Sequence, residues 1–462
     1  MKLLWQGFQY QKHQEEGVQW MVEQESAFPH GGILCDEMGL GKTIQMLGLM
    51  KENPVGSTLL VGPLCVLNQW QATAERCGFN VWRPHATQST WQMPSNFKAK
   101  GQQLYLVNYE RIISRSQLVR THPWDRVIFD EAHRLSNAKN VSFQMAKHIE
   151  ATHRWFLTAT PIVNSLADVL SLFTLLGLED LPKTLDALTP MIQQHVLCRR
   201  MEDLRSEIPA LPKAAIEKRH ILDFVTEDEA DCYRGIHSSI SKHLSTLGLG
   251  MNERFRLIMR LRQISIHPQV YIAARKREFP SYYRDDWNLP STKFLALRGL
   301  IENEFTEKQG HHRWLVFCHF HEEMTLLQEY LMESPIIRNV HIYNGSLSAK
   351  EKEEVIEDSK EALTGHLQEV LLVQLQSGGV GLNLQHCDRV VFMGPWWTAA
   401  LMDQAIGRAV RIGQTENVVV HHLILKEEDG INIDRLMREK AKEKRELCRR
   451  FLDIASSLKP EM

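Results

Sequence analysis

The residues best suited by type to do chemistry lie in the run Cys35-Asp36-Glu37-Met38-Gly39-Leu40-Gly41-Lys42-Thr43. It follows the short apolar run "GGILC" and precedes "IQMLGLM", so it reads as strand, glycine turn, helix. That is the setting of a phosphate cradle. Gly39 and Gly41 can take the backbone angles of an amide nest. Lys42 can neutralise phosphate charge, Thr43 can offer a hydroxyl to Mg²⁺, and the helix N-terminus adds its dipole. The general pattern G-x-x-x-x-G-K-[ST] places a glycine where this chain has Asp36. A tight glycine turn with no ligand is the competing reading.

About ninety residues on, the apolar run "VIF" ends in Asp130-Glu131-Ala132-His133. The C-terminal end of a strand is where an α/β sheet presents its site. Asp130 would hold Mg²⁺, mostly through water, and Glu131 would orient and activate an attacking water. Alone, such a pair is ordinary surface charge; after a "GKT" loop it becomes a nucleotide-hydrolase signature. "LTATP" (157–161) and the glycine loop "QSGGVGLNL" (376–384) are further strand ends. In "DQAIGRAVRIGQ" (403–414) Arg408 and Arg411 stand three apart, which predicts one face of a helix. Opposite a triphosphate they would be arginine fingers, typically worth about 10³–10⁵ in rate. They fall in a different lobe from Lys42, so hydrolysis would require lobe closure.

Elements that could position these groups recur along the chain. Short apolar runs occupy 58–62, 104–109, 126–131 and 154–160, and again 313–318, 340–345, 369–375, 389–394 and 418–424. Most are separated by helix-length segments, the pattern of parallel sheets covered on both faces. The fold expected is α/β, with two parallel-sheet lobes. Residues 166–290 show helical spacing and few strand signals, with "EIPALPK" (207–213) as an extended linker. The organisation expected is lobe one over 1–165, helical insertions and a linker over 166–290, lobe two over 291–425, and a basic helical tail over 426–462. "CHFH" (318–321) reads as a strand end and a helix start rather than a metal site.

Length and composition agree with several domains: 462 residues, 43% apolar, 24% charged, formal net charge −2. No apolar run approaches a membrane span, and the first residues lack the pattern of a secretory signal. Eight cysteines without a C-x-x-C point away from zinc ribbons and towards a reducing compartment. The near-neutral charge neither requires nor excludes nucleic acid.

The ordered set "DEMGLGKT", "DEAH", "LTATP", "SGGVGLNL" and "DQAIGRAVRIGQ" resembles the Swi/Snf-type DNA translocases of helicase superfamily two. In that family aspartate is the normal first residue of the loop. The resemblance runs along most of the chain. "HQEEGVQWM" (13–21) is similar to the adenine-reading segment, with Gln14 as the base-contacting amide; "LLVGPLCVLNQW" (59–70) is similar to a DNA-contacting segment. "LCRRMEDLRSEIPALPK" (197–213) resembles the lobe connector, and "LRQISIHP" (261–268) the second helical insertion.

The resemblance implies two RecA-like lobes and a site for ATP and Mg²⁺. Gln14, Asp36, Gly39, Gly41, Lys42 and Thr43 would bind the nucleotide, and Thr43 and Asp130 the metal. Glu131, Arg408 and Arg411 would be catalytic. It further implies a motor that steps along double-stranded DNA, remodelling nucleosomes or other DNA-bound proteins, as a monomer with no membrane partner. Its compartment would be the nucleus, with viral or bacterial origin left open. The chain departs from the family at Ala159 and Val410, neither of which removes a phosphate or metal contact, and at Thr398, where asparagine is common. The alternatives are a strand-separating DEAH-type helicase on DNA or RNA and a non-hydrolysing DNA-binding scaffold.

Overall fold

The computed structural model describes residues 1–457 apart from 86–88, 95–96, 100, 115, 121, 209–211, 247, 309–311, 361–366, 379–381, 412 and 427–431. The chain divides into two compact units, Met1–Leu211 with Glu443–Met462, and Pro212–Lys442.

In the first unit the strands are β1 (Gly31–Leu34), β2 (Ser57–Gly62), β3 (Asn80–Pro84), β4 (Trp91–Gln92), β5 (Gln103–Asn108), β6 (Trp124–Asp130), β7 (Ala151–Leu157) and β8 (Val196–Leu197). They form one sheet in the order β4-β3-β5-β2-β6-β7-β1-β8. Pairing is parallel throughout except for the antiparallel β3–β4 edge. The central strands are apolar on both faces because both faces are covered. Period two sorts their side chains: Ile33, Leu59, Val61, Val127, Phe129 and Phe156 enter one core, whereas Leu34, Leu60, Ile128, Trp155 and Leu157 enter the other. The second core is closed by helices Lys12–Ser26, Lys42–Glu52 and Leu64–Arg76, and the first by Leu166–Leu176 and Leu185–His195. A fully buried Glu25–Arg126 ion pair at 2.6 Å crosslinks the helix Lys12–Ser26 to β6.

The second unit contains β9 (Ile216–Leu222), β10 (Arg313–Cys318), β11 (Ile337–Tyr343), β12 (Gln368–Gln374), β13 (Arg389–Phe392) and β14 (Val419–Leu425). Its sheet has the order β11-β12-β10-β13-β14-β9 and is wholly parallel. Alternate residues of β10 again divide, with Trp314, Val316 and Cys318 on one face and Leu315 and Phe317 on the other. Cys318 ends its strand and His321 begins the helix His321–Met332.

The two parallel-sheet lobes expected from the sequence are present, with strands over all nine apolar runs. The segment 166–290 holds more than helices. β8 and β9 lie inside it, β8 too short to show a pattern and β9 on a sheet edge with most side chains exposed. Edge strands need no continuous apolar run and carry charges instead, here Glu217, Lys218 and Arg219. The helix Ile433–Ser456 starts in the second unit and ends in the first, where Phe451 and Ala455 join a core. Among the described residues no helix is long and apolar enough to cross a membrane.

Candidate active site

Register places the chemistry-bearing groups of the first unit at one level, at the carboxyl ends of neighbouring strands. Leu34, the last residue of β1, pairs with Leu157, the last of β7, and Leu157 pairs with Asp130, the last of β6. The glycine-rich loop, the acidic pair and the segment Thr158–Pro161 therefore leave the sheet side by side. This is the crevice outside the carboxyl ends of parallel strands.

The loop Cys35–Gly41 turns through two left-handed glycines, Gly39 at φ +98° and Gly41 at φ +83°. Side chains are disfavoured there by conformation and by space. A Cβ on Gly39 would come within 2.6 Å of Met201 Cε, and one on Gly41 within 2.6 Å of Gln14 Nε2. Gly41 caps the helix Lys42–Glu52, so the amides of Lys42 and Thr43 are among the first of that helix, which have no intrahelical acceptor. Lys42 Nζ donates to the carbonyl of Asp36 at 2.6 Å and reaches that of Glu37 at 3.5 Å. The ammonium thus rests on the loop's own backbone. Gln14 stands at the same loop, its Nε2 3.4 Å from the Leu40 carbonyl. His13 also reaches that carbonyl, at 2.9 Å through Nε2, which makes Nε2 the protonated nitrogen. Burial lowers the His13 pKa and favours the neutral ring.

Asp36 does not point at open space. It is fully buried. Its Oδ1 accepts from Arg199 Nε at 3.0 Å, and its Oδ2 from Arg199 Nη2 at 2.5 Å and Gln45 Nε2 at 2.8 Å. Arg199 Nη2 also donates to Gln45 Oε1 at 2.6 Å, and Nη1 donates to the His13 carbonyl. Two further bonds tie the loop to the segment after β8. The Glu37 amide donates to the Arg199 carbonyl at 3.0 Å, and the Met201 amide donates to Glu37 Oε2 at 2.6 Å. Leu40 packs with Met201, Leu204 and Ile208. Burial raises the Glu37 pKa.

Asp130 and Glu131 are held differently. Asp130 Oδ2 accepts from the indole of buried Trp70 at 2.7 Å, and Oδ1 accepts from the Glu131 amide at 2.9 Å. Burial, and then the charge of Glu131, push the Asp130 carboxyl up to about 6; Trp70 and Lys42 pull in the other direction. Glu131 adopts φ +51°, a left-handed conformation that a non-glycine residue takes at a cost. It turns the chain out of β6 into the short helix Ala132–Leu135 and leaves Glu131 Oε2 3.3 Å from His133 Nδ1. The same ring nitrogen lies 3.4 Å from Thr158 Oγ1, so the acidic turn and the end of β7 meet at His133. Neither Trp70 nor Arg199 stands out as a site residue in the sequence. A tryptophan one helix after β2 and an arginine doublet after a two-residue strand carry weak local signals.

In the second unit, Arg408 and Arg411 are not on a helix. The helix Ala399–Ile406 ends before both. The Arg408 carbonyl accepts from the Leu384 amide at 3.1 Å, and the Ala409 carbonyl from Gln414 Nε2 at 3.2 Å. The Arg408 and Ala409 amides already reach back only three residues, to the Ala405 and Ile406 carbonyls, so the chain leaves the helix in turns. Arg408 is buried and Arg411 is half-buried. Of the glycine loop at 376–384, residues 379–381 lie outside the described residues, as do 209–211 of the linker and Ile412 of the arginine motif.

The oxygen donors Thr43 and Asp130 suit Mg²⁺. Among the described residues no cluster of three or more His, Cys, Asp or Glu side chains could hold a metal ion. Mg²⁺ is usually bound by one or two protein oxygens, with waters and substrate phosphates completing the shell.

Two parallel-sheet lobes, the first with a glycine turn, a lysine and an acid pair at the carboxyl ends of neighbouring strands, define a class of α/β proteins with a candidate site outside the strand ends. The SNF2-related domain family matches residues 13–270, and the helicase conserved C-terminal domain matches residues 292–413. The chain belongs to the SNF2-related family. It is 26% identical over 449 residues to the "Putative ATP-dependent helicase/translocase YwqA" of Bacillus subtilis, covering 89% of this chain and 46% of that protein. It is 25% identical over 473 residues to the "Probable global transactivator" of Orgyia pseudotsugata multicapsid polyhedrosis virus, covering 96% of this chain and 91% of that protein. The solved SWI2/SNF2 ATPase core of Sulfolobus solfataricus, in complex with double-stranded DNA, aligns over 98% of both chains at 21% identity and a TM-score of 0.40. The chain spans 91% of the viral relative but less than half of the bacterial one.

Proposed function

We propose that the protein is a DNA-dependent ATPase that converts ATP hydrolysis into stepping along double-stranded DNA and thereby remodels protein–DNA complexes. The observation that supports this most is the common level of the Lys42 loop, the Asp130–Glu131 pair and Thr158 at the carboxyl ends of neighbouring strands. Membership of the SNF2-related family and the helicase/translocase name of a relative point the same way.

The roles follow from the chemistry of each group. Lys42 leaves the Asp36 and Glu37 carbonyls to meet β- and γ-phosphate oxygens, and the amides of the glycine turn and the helix N-terminus cradle them. Gln14, beside Gly41, reads the base. Asp36 serves the loop from behind. Thr43 and Asp130 would hold Mg²⁺, which supplies charge neutralisation on the phosphates when bound. Glu131 orients the attacking water and accepts its proton. Its left-handed backbone fixes the direction of the side chain, and His133 stands within ion-pair distance. Arg408 and Arg411 are proposed as the arginine fingers of the transition state.

The test is the rate of ATP hydrolysis with duplex DNA, single strands, RNA or no nucleic acid. Stimulation by duplex supports the reading. Stimulation by RNA or single strands alone would favour strand separation instead, and ATP binding without turnover would indicate a scaffold.

A further inference from the structure

Asp36 poses a physical problem. A carboxylate with 0% exposure at the root of a phosphate loop adds negative charge where triphosphate must bind. Buried charges persist only when paired and hydrogen-bonded. The partner here comes from 163 positions along the chain: the Arg199 guanidinium, forked across both oxygens of Asp36. Gln45, one turn into the helix that starts at Lys42, closes the triangle by donating to Asp36 and accepting from Arg199.

Space has been kept for this triangle. Gly17 lies inside the helix Lys12–Ser26, where glycine costs about 1 kcal/mol relative to alanine. A Cβ on Gly17 would come within 2.0 Å of Gln45 Oε1 and 2.6 Å of Arg199 Nη2. The same guanidinium donates to the His13 carbonyl, next to Gln14. A single side chain therefore touches the root of the loop, the helix behind it and the helix carrying the proposed base reader.

We propose that Arg199 is a positioning residue for nucleotide binding: with Asp36 and Gln45, in the space left by Gly17, it forms a buried lock that sets the shape of the loop Asp36–Gly41. Asp36 acts on the nucleotide through the loop, and its charge is cancelled from behind. The segment Arg199–Ile208 completes the lock, through the Glu37 and Met201 amide bonds and the packing of Leu40. This inference rests on the loop being the ATP site, as argued above. A lock that shapes the cradle contributes equally to ground-state and transition-state binding, so its loss should appear in KM rather than kcat.

The experiment uses the full chain with Arg199→Met, Asp36→Gly, the double variant and Gly17→Ala. Two readouts are taken: amide hydrogen exchange of residues 36–41 without nucleotide, and KM and kcat for ATP with duplex DNA. Each single change should speed exchange in the loop while leaving the central strands protected, and raise KM at least about ten-fold with kcat within about three-fold. The double variant removes both charges and restores the general glycine, so it should lie closer to the parent than either single change. Gly17→Ala keeps every charge but drives a methyl against Gln45 and Arg199; it should speed exchange in the loop and raise KM while the central strands stay protected, whereas merely structural damage would loosen those strands as well. Unchanged loop exchange in Arg199→Met and Gly17→Ala would overturn the proposal, as would a double variant showing the full sum of the two losses. If the parent hydrolyses no ATP, the functional reading fails, and the exchange readout still decides whether the lock exists.

Discussion

Replacing Asp130 by asparagine should stabilise the nucleotide-free protein while removing its activity. The Asp130 carboxyl is pushed from an ordinary 3.8 up to about 6, by burial first and by Glu131 second. At 1.36 kcal/mol per unit, a rise of about two units means that ionised Asp130 costs the folded state about 3 kcal/mol at pH 7. Asparagine carries no such cost but has one oxygen where aspartate has two. Only one of the two donors, the Trp70 indole or the Glu131 amide, can be matched, a loss of roughly 1–2 kcal/mol. The net gain is about 1–2 kcal/mol at pH 7. For a unit of this size that raises the melting temperature by roughly 2–8 °C.

The sign with pH is fixed by the direction of the shift. Between 3.8 and about 6 the folded state holds the proton and the unfolded state does not, so the parent loses stability as pH rises through that window. The advantage of asparagine is therefore full above pH 6. The ionisation cost is roughly half as large at pH 5, where the two proteins should melt at nearly the same temperature. Thermal melting of parent and Asp130→Asn from pH 5 to pH 8, without nucleotide, measures this. An asparagine variant that melts below the parent at pH 7, or a difference that does not change with pH, would contradict the ionisation cost.

Glu131→Gln should abolish turnover yet retain ATP, because it spares the loop and Asp130. Near-native hydrolysis would remove Glu131 from its role. Arg411→Ala should leave nucleotide affinity, measured by equilibrium titration, within a few-fold and lower kcat by about 10³ or more; a loss confined to affinity would refute the finger assignment. Glu25→Ala should destabilise the first unit by about 3–5 kcal/mol, since it strands the fully buried Arg126 charge. Burial alone would raise the Glu25 pKa, but the Arg126 hydrogen bonds and charge hold it below the ordinary value. That contribution is present above about pH 4.5 and is lost on acidification, as acid melting curves of parent and variant would show.

The parts of the fold legible in the sequence are those that physics writes locally. β2, β6, β10 and β12 are buried on both faces, and such strands must be continuous apolar runs. Gly39 and Gly41 were legible because left-handed turns select glycine. Long-range compensation was not. Nothing near Asp36 reveals that its counter-charge is Arg199, and nothing near Asp130 reveals the Trp70 indole. Edge strand β9 escaped because an exposed strand carries no hydrophobic signature. The arginine motif misled for a related reason. Its spacing suits a helix, but the Arg408 and Ala409 amides reach back only three residues, and the chain is already in turns where both arginines stand.

The most direct measurement of the central claim is steady-state ATP hydrolysis by the full chain with and without duplex DNA, with Lys42→Ala as the blank. The rate should rise several-fold or more on adding duplex and fall to background in the blank. A rate indifferent to duplex, or a Lys42→Ala protein as fast as the parent, would contradict it.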